Sequence, residues 1–265
     1  MKIISTRKLR RFLTNLRTKC IKSMPDSALR RVLLRKYINE LRSIVVIVGQ
    51  NCTLKCRHCA NFSPYLANIL PFYDYQEIIS DIECLTNECK ISHLQLQGGE
   101  FFLHPNHLDI LEAIIKNNRI FNITIVTNAT IIPKVEVLEK IRDSKKITVR
   151  MSNYGNVNNT LIEKLESKLK EYSINYFIHK YILGTSQWAK CGDRNMKKMK
   201  ESLMQKFFDQ CVFADYCLTM ENGFITRCSR ATIAHLVQNF NLAKNDGLLL
   251  KNRITLGGGG NICVI

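Results

Sequence analysis

From residue 44 onward the chain switches repeatedly between a two-residue and a 3.6-residue apolar period. Ile44-Val45-Val46-Ile47-Val48-Gly49 is a β-branched run closed by Gly, which predicts a buried strand. A helix follows over about 75–87, then an alternating strand over 91–97 that ends in Gly98-Gly99-Glu100. Helical patterns near 108–116, 134–142 and 159–171 then separate strand patterns at 121–128, 146–153 and 174–179. Strands alternating with helices predict an α/β fold, a parallel sheet joined by right-handed crossovers.

The pattern changes at both ends. Leu9, Phe12, Leu13, Leu16 and Cys20 fall at helical spacing, and a second helical pattern runs from Leu29 through Val32, Leu33 and Tyr37 to Leu41. Residues 1–42 carry 13 Lys and Arg against only Asp26 and Glu40, so much of the net charge of +17 lies ahead of the first strand. This basic helical N-terminus can lie on an acidic partner surface, on nucleic acid or on an anionic membrane, or can pack on the domain with its charges in water. Beyond 185 come Cys191, a basic helix over 195–210, Cys211, Cys217 and Cys228, with Asn222-Gly223 marking a hairpin between the last two. A glycine run, Gly257 to Gly260, reads as a flexible tail. The expected organisation is a basic segment (1–42), a core (43–185), a cysteine-bearing region (186–235) and a C-terminal tail (236–265).

Eleven cysteines without an apolar leader read as thiols in a reducing, cytoplasmic compartment rather than a disulfide scaffold. No apolar run approaches the roughly 20 residues that cross a bilayer. Cys52, Cys56 and Cys59 form a Cys-x3-Cys-x2-Cys loop directly after the first strand, a spacing that chance would give about 0.02 times in this composition. Four-iron clusters normally take four thiolates, so three would leave one iron open. A structural zinc site is the alternative, although it usually opens with Cys-x2-Cys and needs a second ligand pair.

The Cys-x3-Cys-x2-Cys loop, with His58 before its last Cys and Gly98-Gly99-Glu100 one strand later, resembles the radical S-adenosylmethionine superfamily. The resemblance implies a partial (β/α) barrel and a 4Fe-4S cluster on Cys52, Cys56 and Cys59. It also implies S-adenosyl-L-methionine on the open iron, with Gly98, Gly99 and Glu100 near its amino group. Thr127 and Asn128 resemble the family's Thr-Asn strand ending. Arg150 and Ser152 share a strand face, on which Arg150 is expected at the cofactor carboxylate and Ser152 at the ribose. Phe101 replaces the Pro that often follows the Glu. Cys211 with Gly223-x4-Cys228 resembles a SPASM or twitch extension, which implies an auxiliary cluster with Cys191 and Cys217 as further ligands; a zinc site on the same four thiols and buried cysteines without a metal are the competing readings.

An oxidoreductase acting on a carbohydrate or peptide is the function implied, fed by a low-potential donor such as flavodoxin or ferredoxin. Its rivals are a zinc-bearing nucleic-acid-binding module and a degenerate, non-catalytic barrel. No histidine is a catalytic candidate; His93 and His179, in strand patterns, read as packed or hydrogen-bonded core.

Overall fold

In a computed structural model, residues 20, 40–181, 199–209, 211, 218–238 and 247–250 are described. The β-branched run forms β2 (Ile44–Ile47), buried on both faces and central to a mixed α/β arrangement. Short strands β1 (Glu40–Leu41) and β3 (Lys90–Ile91) pair with each other, and Ile91 also bridges to Ile120. The main sheet continues with β4 (Leu94–Gln97), β5 (Ile123–Thr127), β6 (Ile147–Asn153) and β7 (Tyr176–Lys180), all parallel to β2. On the other side of β2 lies a second parallel neighbour, β8 (Leu218–Glu221), followed by antiparallel β9 (Phe224–Thr226) and β10 (Gly247–Leu249). The spatial order is β10-β9-β8-β2-β4-β5-β6-β7, and no bond joins the two outer strands.

The crossovers are helical, as their amphipathic spacing requires. After the short α1 (Ser63–Leu66), α2 (Tyr75–Glu88) opens on Asp74, whose carboxylate accepts from the backbone N–H of Gln76 and Glu77. It is followed by α3 (His107–Lys116), α4 (Val135–Asp143) and α5 (Asn159–Glu171). Each turns an apolar stripe toward the sheet, such as Ile110, Leu111 and Ile114 of α3. They meet the sheet face that carries Leu94, Leu96, Ile123, Ile125, Val149 and Met151, all buried. The opposite, inner face is far more polar, with Thr219, Glu221, Gln95, Gln97, Thr124, Arg150 and Ser152 on it by strand alternation.

Several local expectations shift. Residues 91–97 form two strands rather than one, because Ser92 and His93 turn the chain: Ser92 N–H bonds to Leu41 O, and Ile44 N–H to His93 O. Leu41, read as the end of a helical pattern, belongs to β1 instead. His93 is hydrogen-bonded as expected, to Ser43 Oγ at 3.3 Å and Thr124 Oγ1 at 2.8 Å, but His179 is exposed and lies against the Tyr181 ring. The Asn222-Gly223 turn forms with both residues at positive φ (52° and 75°), and the hairpin joins the main sheet. Helix α6 (Glu201–Asp209) covers part of the basic pattern at 195–210, and α7 (Ser229–Gln238) continues past residue 235. Strand β10 falls within residues read as tail. The basic N-terminal pattern apart from Cys20 and residues 40–42, and the glycine run, lie outside the described residues, as do Cys191 and Cys217.

Candidate metal and cofactor site

The three cysteines follow β2 at the sheet's C-terminal edge, where neighbouring parallel strands end side by side. Their loop is anchored by backbone bonds to the next strand's end: Gly99 N–H donates to Gly49 O at 3.0 Å and Glu100 N–H to Asn51 O at 2.8 Å. Such proximity explains the glycines. A Cβ on Gly98 would lie 2.3 Å from Gly49 O, and one on Gly99 only 2.0 Å from Asn51 O. The ligand-approach role expected of the pair is thus joined by a demonstrable one: Gly98 and Gly99 admit the chain's own cysteine loop. His58, at φ 60°, turns the backbone between Cys56 and Cys59.

Glu100 is buried, with Phe102 N–H (3.2 Å) and Thr127 Oγ1 (2.9 Å) donating to its Oε1 and Asn128 N–H (2.7 Å) to its Oε2. Its carboxylate therefore ties the end of β4 to the end of β5, with one acceptor position on Oε2 left over. Burial pushes its pKa up to about 7, against the three hydrogen bonds. Asn128 extends toward the cysteines; its Nδ2 donates to Thr53 Oγ1 at 3.1 Å and lies 3.5 Å from Cys52 Sγ. Thr53 and Thr130 join their hydroxyls, closing the link between the two loops.

The thiols themselves are half-buried and close enough to sense one another. Cys52 is pushed up to about 11, first by burial and then by the negative charge of Glu100, Cys56 and Cys59; Cys56 rises to about 11 through burial and Cys59. A cation replacing the thiol protons would remove that penalty. Among the described residues no three His, Cys, Asp or Glu side chains converge on a single metal ion. A four-iron cluster asks for something different, since each thiolate takes a separate iron. Three soft donors on one loop, with an amide N–H directed at one sulfur, fit such a cluster. Beside Cys56 opens a cavity of about 320 Å³ lined by Leu54, Lys55, Arg57, Tyr154, Val157 and Tyr181.

Ser152 is buried near the end of β6, and its backbone carbonyl accepts from Asn158 Nδ2 at 2.8 Å. The same amide donates to Asn128 O at 2.7 Å, and Asn158 Oδ1 accepts from Tyr154 N–H at 2.8 Å. Asn158, unmarked by any sequence motif, thus joins the β5 and β6 edges. Arg150 lies two residues before Ser152 on the same strand face, and its Nη1 donates to Gln95 Oε1 at 3.3 Å. Of the second cysteine group, Cys228 follows β9 and precedes α7, and Cys211 follows α6.

A buried polar cluster that sequence reasoning missed connects the hairpin with the cysteine loop. Gln50 Nε2 and Tyr73 OH both donate to Glu221 Oε1, at 2.6 and 2.7 Å, and Ser63 Oγ donates to Gln50 Oε1 at 2.8 Å. Burial raises Glu221 from 4.5 to about 7. Between those values the folded protein holds a proton that the unfolded chain has released, so this group's stabilising contribution is full at lower pH and falls as pH rises through 7. Glu221→Gln keeps an oxygen for both donors and removes the titration. Its urea midpoint should decline less than wild type between about pH 5 and pH 8; an unchanged slope would assign the dependence to another group.

SuiB of Streptococcus suis, solved bound to its precursor peptide SuiA, is similar over 84% of this chain and 70% of its own, at 17% identity and a TM-score of 0.48. BtrN, solved in complex with AdoMet and 2-DOIA, is similar over 71% of this chain and 73% of its own, at 13% identity and a TM-score of 0.45. No curated protein matches the sequence. The stretch from residue 46 to residue 153, which holds the three cysteines, Gly98-Gly99-Glu100 and the ends of β5 and β6, matches the model of the Radical SAM superfamily.

Proposed function

We propose that this chain is a radical SAM enzyme in which Cys52, Cys56 and Cys59 hold a 4Fe-4S cluster and the adjoining strand ends hold S-adenosyl-L-methionine. The observation that carries the reading is the convergence of three half-buried thiols, Glu100 and Asn128 on one sheet edge, inside the stretch that matches the family model. When bound, the reduced cluster and S-adenosylmethionine supply a 5'-deoxyadenosyl radical able to take hydrogen from an unactivated carbon.

The chain's own residues position and shield. Gly98 and Gly99 let the cysteine loop lie against β4, and the free acceptor position on Glu100 Oε2 suits the cofactor ammonium. Asn128 directs an N–H at Cys52 Sγ, which favours the thiolate. Thr127 orients Glu100 by donating to it, and Ser152 lies at the neighbouring strand end, where a ribose hydroxyl would be met. We read the sheet as a partial barrel, whose polar inner face suits a hydrogen-bonding substrate, a carbohydrate or a peptide. We assign Cys211 and Cys228, with Cys191 and Cys217, to an auxiliary cluster in a short SPASM-like or twitch-like extension. An auxiliary cluster held by these cysteines would supply the electron acceptor that a net two-electron oxidation needs, with a low-potential donor of the flavodoxin or ferredoxin type as the source of the first electron.

Anaerobic reconstitution tests the reading. About eight irons per chain are expected for two clusters and about four for one. Dithionite with S-adenosylmethionine should then release 5'-deoxyadenosine and methionine. Iron-loaded protein that cleaves no cofactor, or colourless protein holding zinc, would sink the proposal.

A further inference from the structure

We propose that Arg150 anchors a second ligand site, deeper on the inner sheet face than the cofactor edge, which takes an oxyanion of the substrate, a carboxylate or a phosphate. The inference rests on the radical SAM reading only in calling that ligand the substrate.

Sheet register fixes the depth. Arg150 pairs with Val126, while Gln95 pairs with Thr124 and Thr124 with Thr148, a row two residues nearer the strands' N-terminal ends. By donating to Gln95, Arg150 therefore leans about 6 to 7 Å along the sheet away from the cysteine loop. His93, in the turn just before β4, registers the same direction: its pKa is lowered by burial and then by the charge of Arg150. A guanidinium serving the cofactor carboxylate would reach toward the rim instead.

The inner face also leaves hydrogen-bonding capacity unused. Arg150 Nε is buried and has no partner, and no described carboxylate pairs with this side chain. Glu221, the acidic group on the same face, lies four strands away with its Oε1 occupied by Gln50 and Tyr73. Nη1 is held by Gln95 while Nε has no partner, and a guanidinium edge that includes Nε can meet a planar oxyanion with two parallel bonds. A second orphan lies on the Gln95 row: Thr219, fully buried, has no partner for Oγ1, and Val45 alone separates it from Gln95 across the sheet. Two buried unpaired donors on neighbouring rows of one face are costly to leave unmet. A ligand spanning from Arg150 toward Thr219 would satisfy both.

Isothermal titration of the reconstituted full chain tests the site, at constant ionic strength set with chloride. Inorganic phosphate and acetate are the two probes, and S-adenosylmethionine is titrated separately. At least one anion should bind wild-type protein. Arg150→Gln should weaken that anion at least tenfold while changing the S-adenosylmethionine Kd less than twofold. Arg150→Lys, which keeps charge but loses the fork, should give an intermediate value and guards against a folding defect in the first variant. Preference for phosphate or for acetate identifies the source of the oxyanion.

Anion binding that is equal in wild type and Arg150→Gln, or absent from wild type, would overturn the proposal and leave Arg150 as a packing group. A tenfold loss confined to S-adenosylmethionine would overturn it in favour of the cofactor carboxylate. Wild-type protein that binds anion through Arg150 but forms no 5'-deoxyadenosine would uphold the site while removing the radical SAM reading.

Discussion

Cys56→Ala should reconstitute with about four irons fewer than wild type and form no detectable 5'-deoxyadenosine, a fall of at least about 10³-fold. The size follows from the donor count. Three thiolates are the fewest that leave one iron open without leaving two, and ligands that act as a unit cost nearly as much singly as together. Cys56 is half-buried on a loop beside the open cavity, outside the apolar core, so its loss should leave the sheet and helices folded. Cys84→Ala, a change within α2 of comparable size, is the matched control and should keep both iron and activity. Iron retained at the wild-type level in Cys56→Ala would instead place the cluster on other cysteines, and continued cofactor cleavage would end the assignment. A surviving iron signal of about half the wild-type content would be the auxiliary cluster seen in isolation.

What was legible in the sequence is what periodicity encodes. The helix at 159–171 coincides with α5, and the one at 75–87 is extended by a single residue, because their apolar stripes and polar flanks are local signals. The Asn222-Gly223 hairpin was equally local. Its partner was not: nothing near residue 218 says that β8 will lie beside β2, a pairing across more than 170 residues. The Gln50, Tyr73 and Glu221 cluster shares that distance, with each member an ordinary polar residue until the fold assembles them. Ser92 and His93 hid a strand break because a two-residue kink leaves the alternation intact on either side.

At the candidate site, residue types were readable and their immediate employment was not. The motif Gly98-Gly99-Glu100 points to a ligand, yet close neighbours of these residues are Gly49, Gln50, Asn51, Thr127 and Asn128 of the same chain. A signal was present in Gly49, since glycines ending two adjacent parallel strands mark a place where backbone meets backbone. Arg150 and Ser152 share a face, as strand alternation requires; what separates them is depth, which a two-residue spacing already contains.

Gly99→Ala should lower stability by about 3 kcal/mol and, in the fraction that folds, reduce cofactor cleavage about 10²-fold. The added methyl carbon would lie 2.0 Å from Asn51 O, 2.4 Å from Asn51 C and 2.6 Å from Gln50 O, all backbone or backbone-bonded atoms that cannot rotate aside. Restoring an ordinary contact moves that segment by roughly 1 Å, and Cys52 is the next residue along. Two losses should therefore be separable: the denaturant midpoint reports the strain, while turnover per iron-loaded chain at low temperature reports the misplaced ligand. Gly155→Ala is the informative comparison, because no atom lies within 4 Å of its Cβ position and only its φ of +67° opposes the change. That variant should cost about 1 kcal/mol and leave turnover per cluster intact. A Gly99→Ala protein as stable as Gly155→Ala would mean that the cysteine loop yields freely. It would then be the loop's freedom, rather than its fixed seat against β4, that any account of the site must explain.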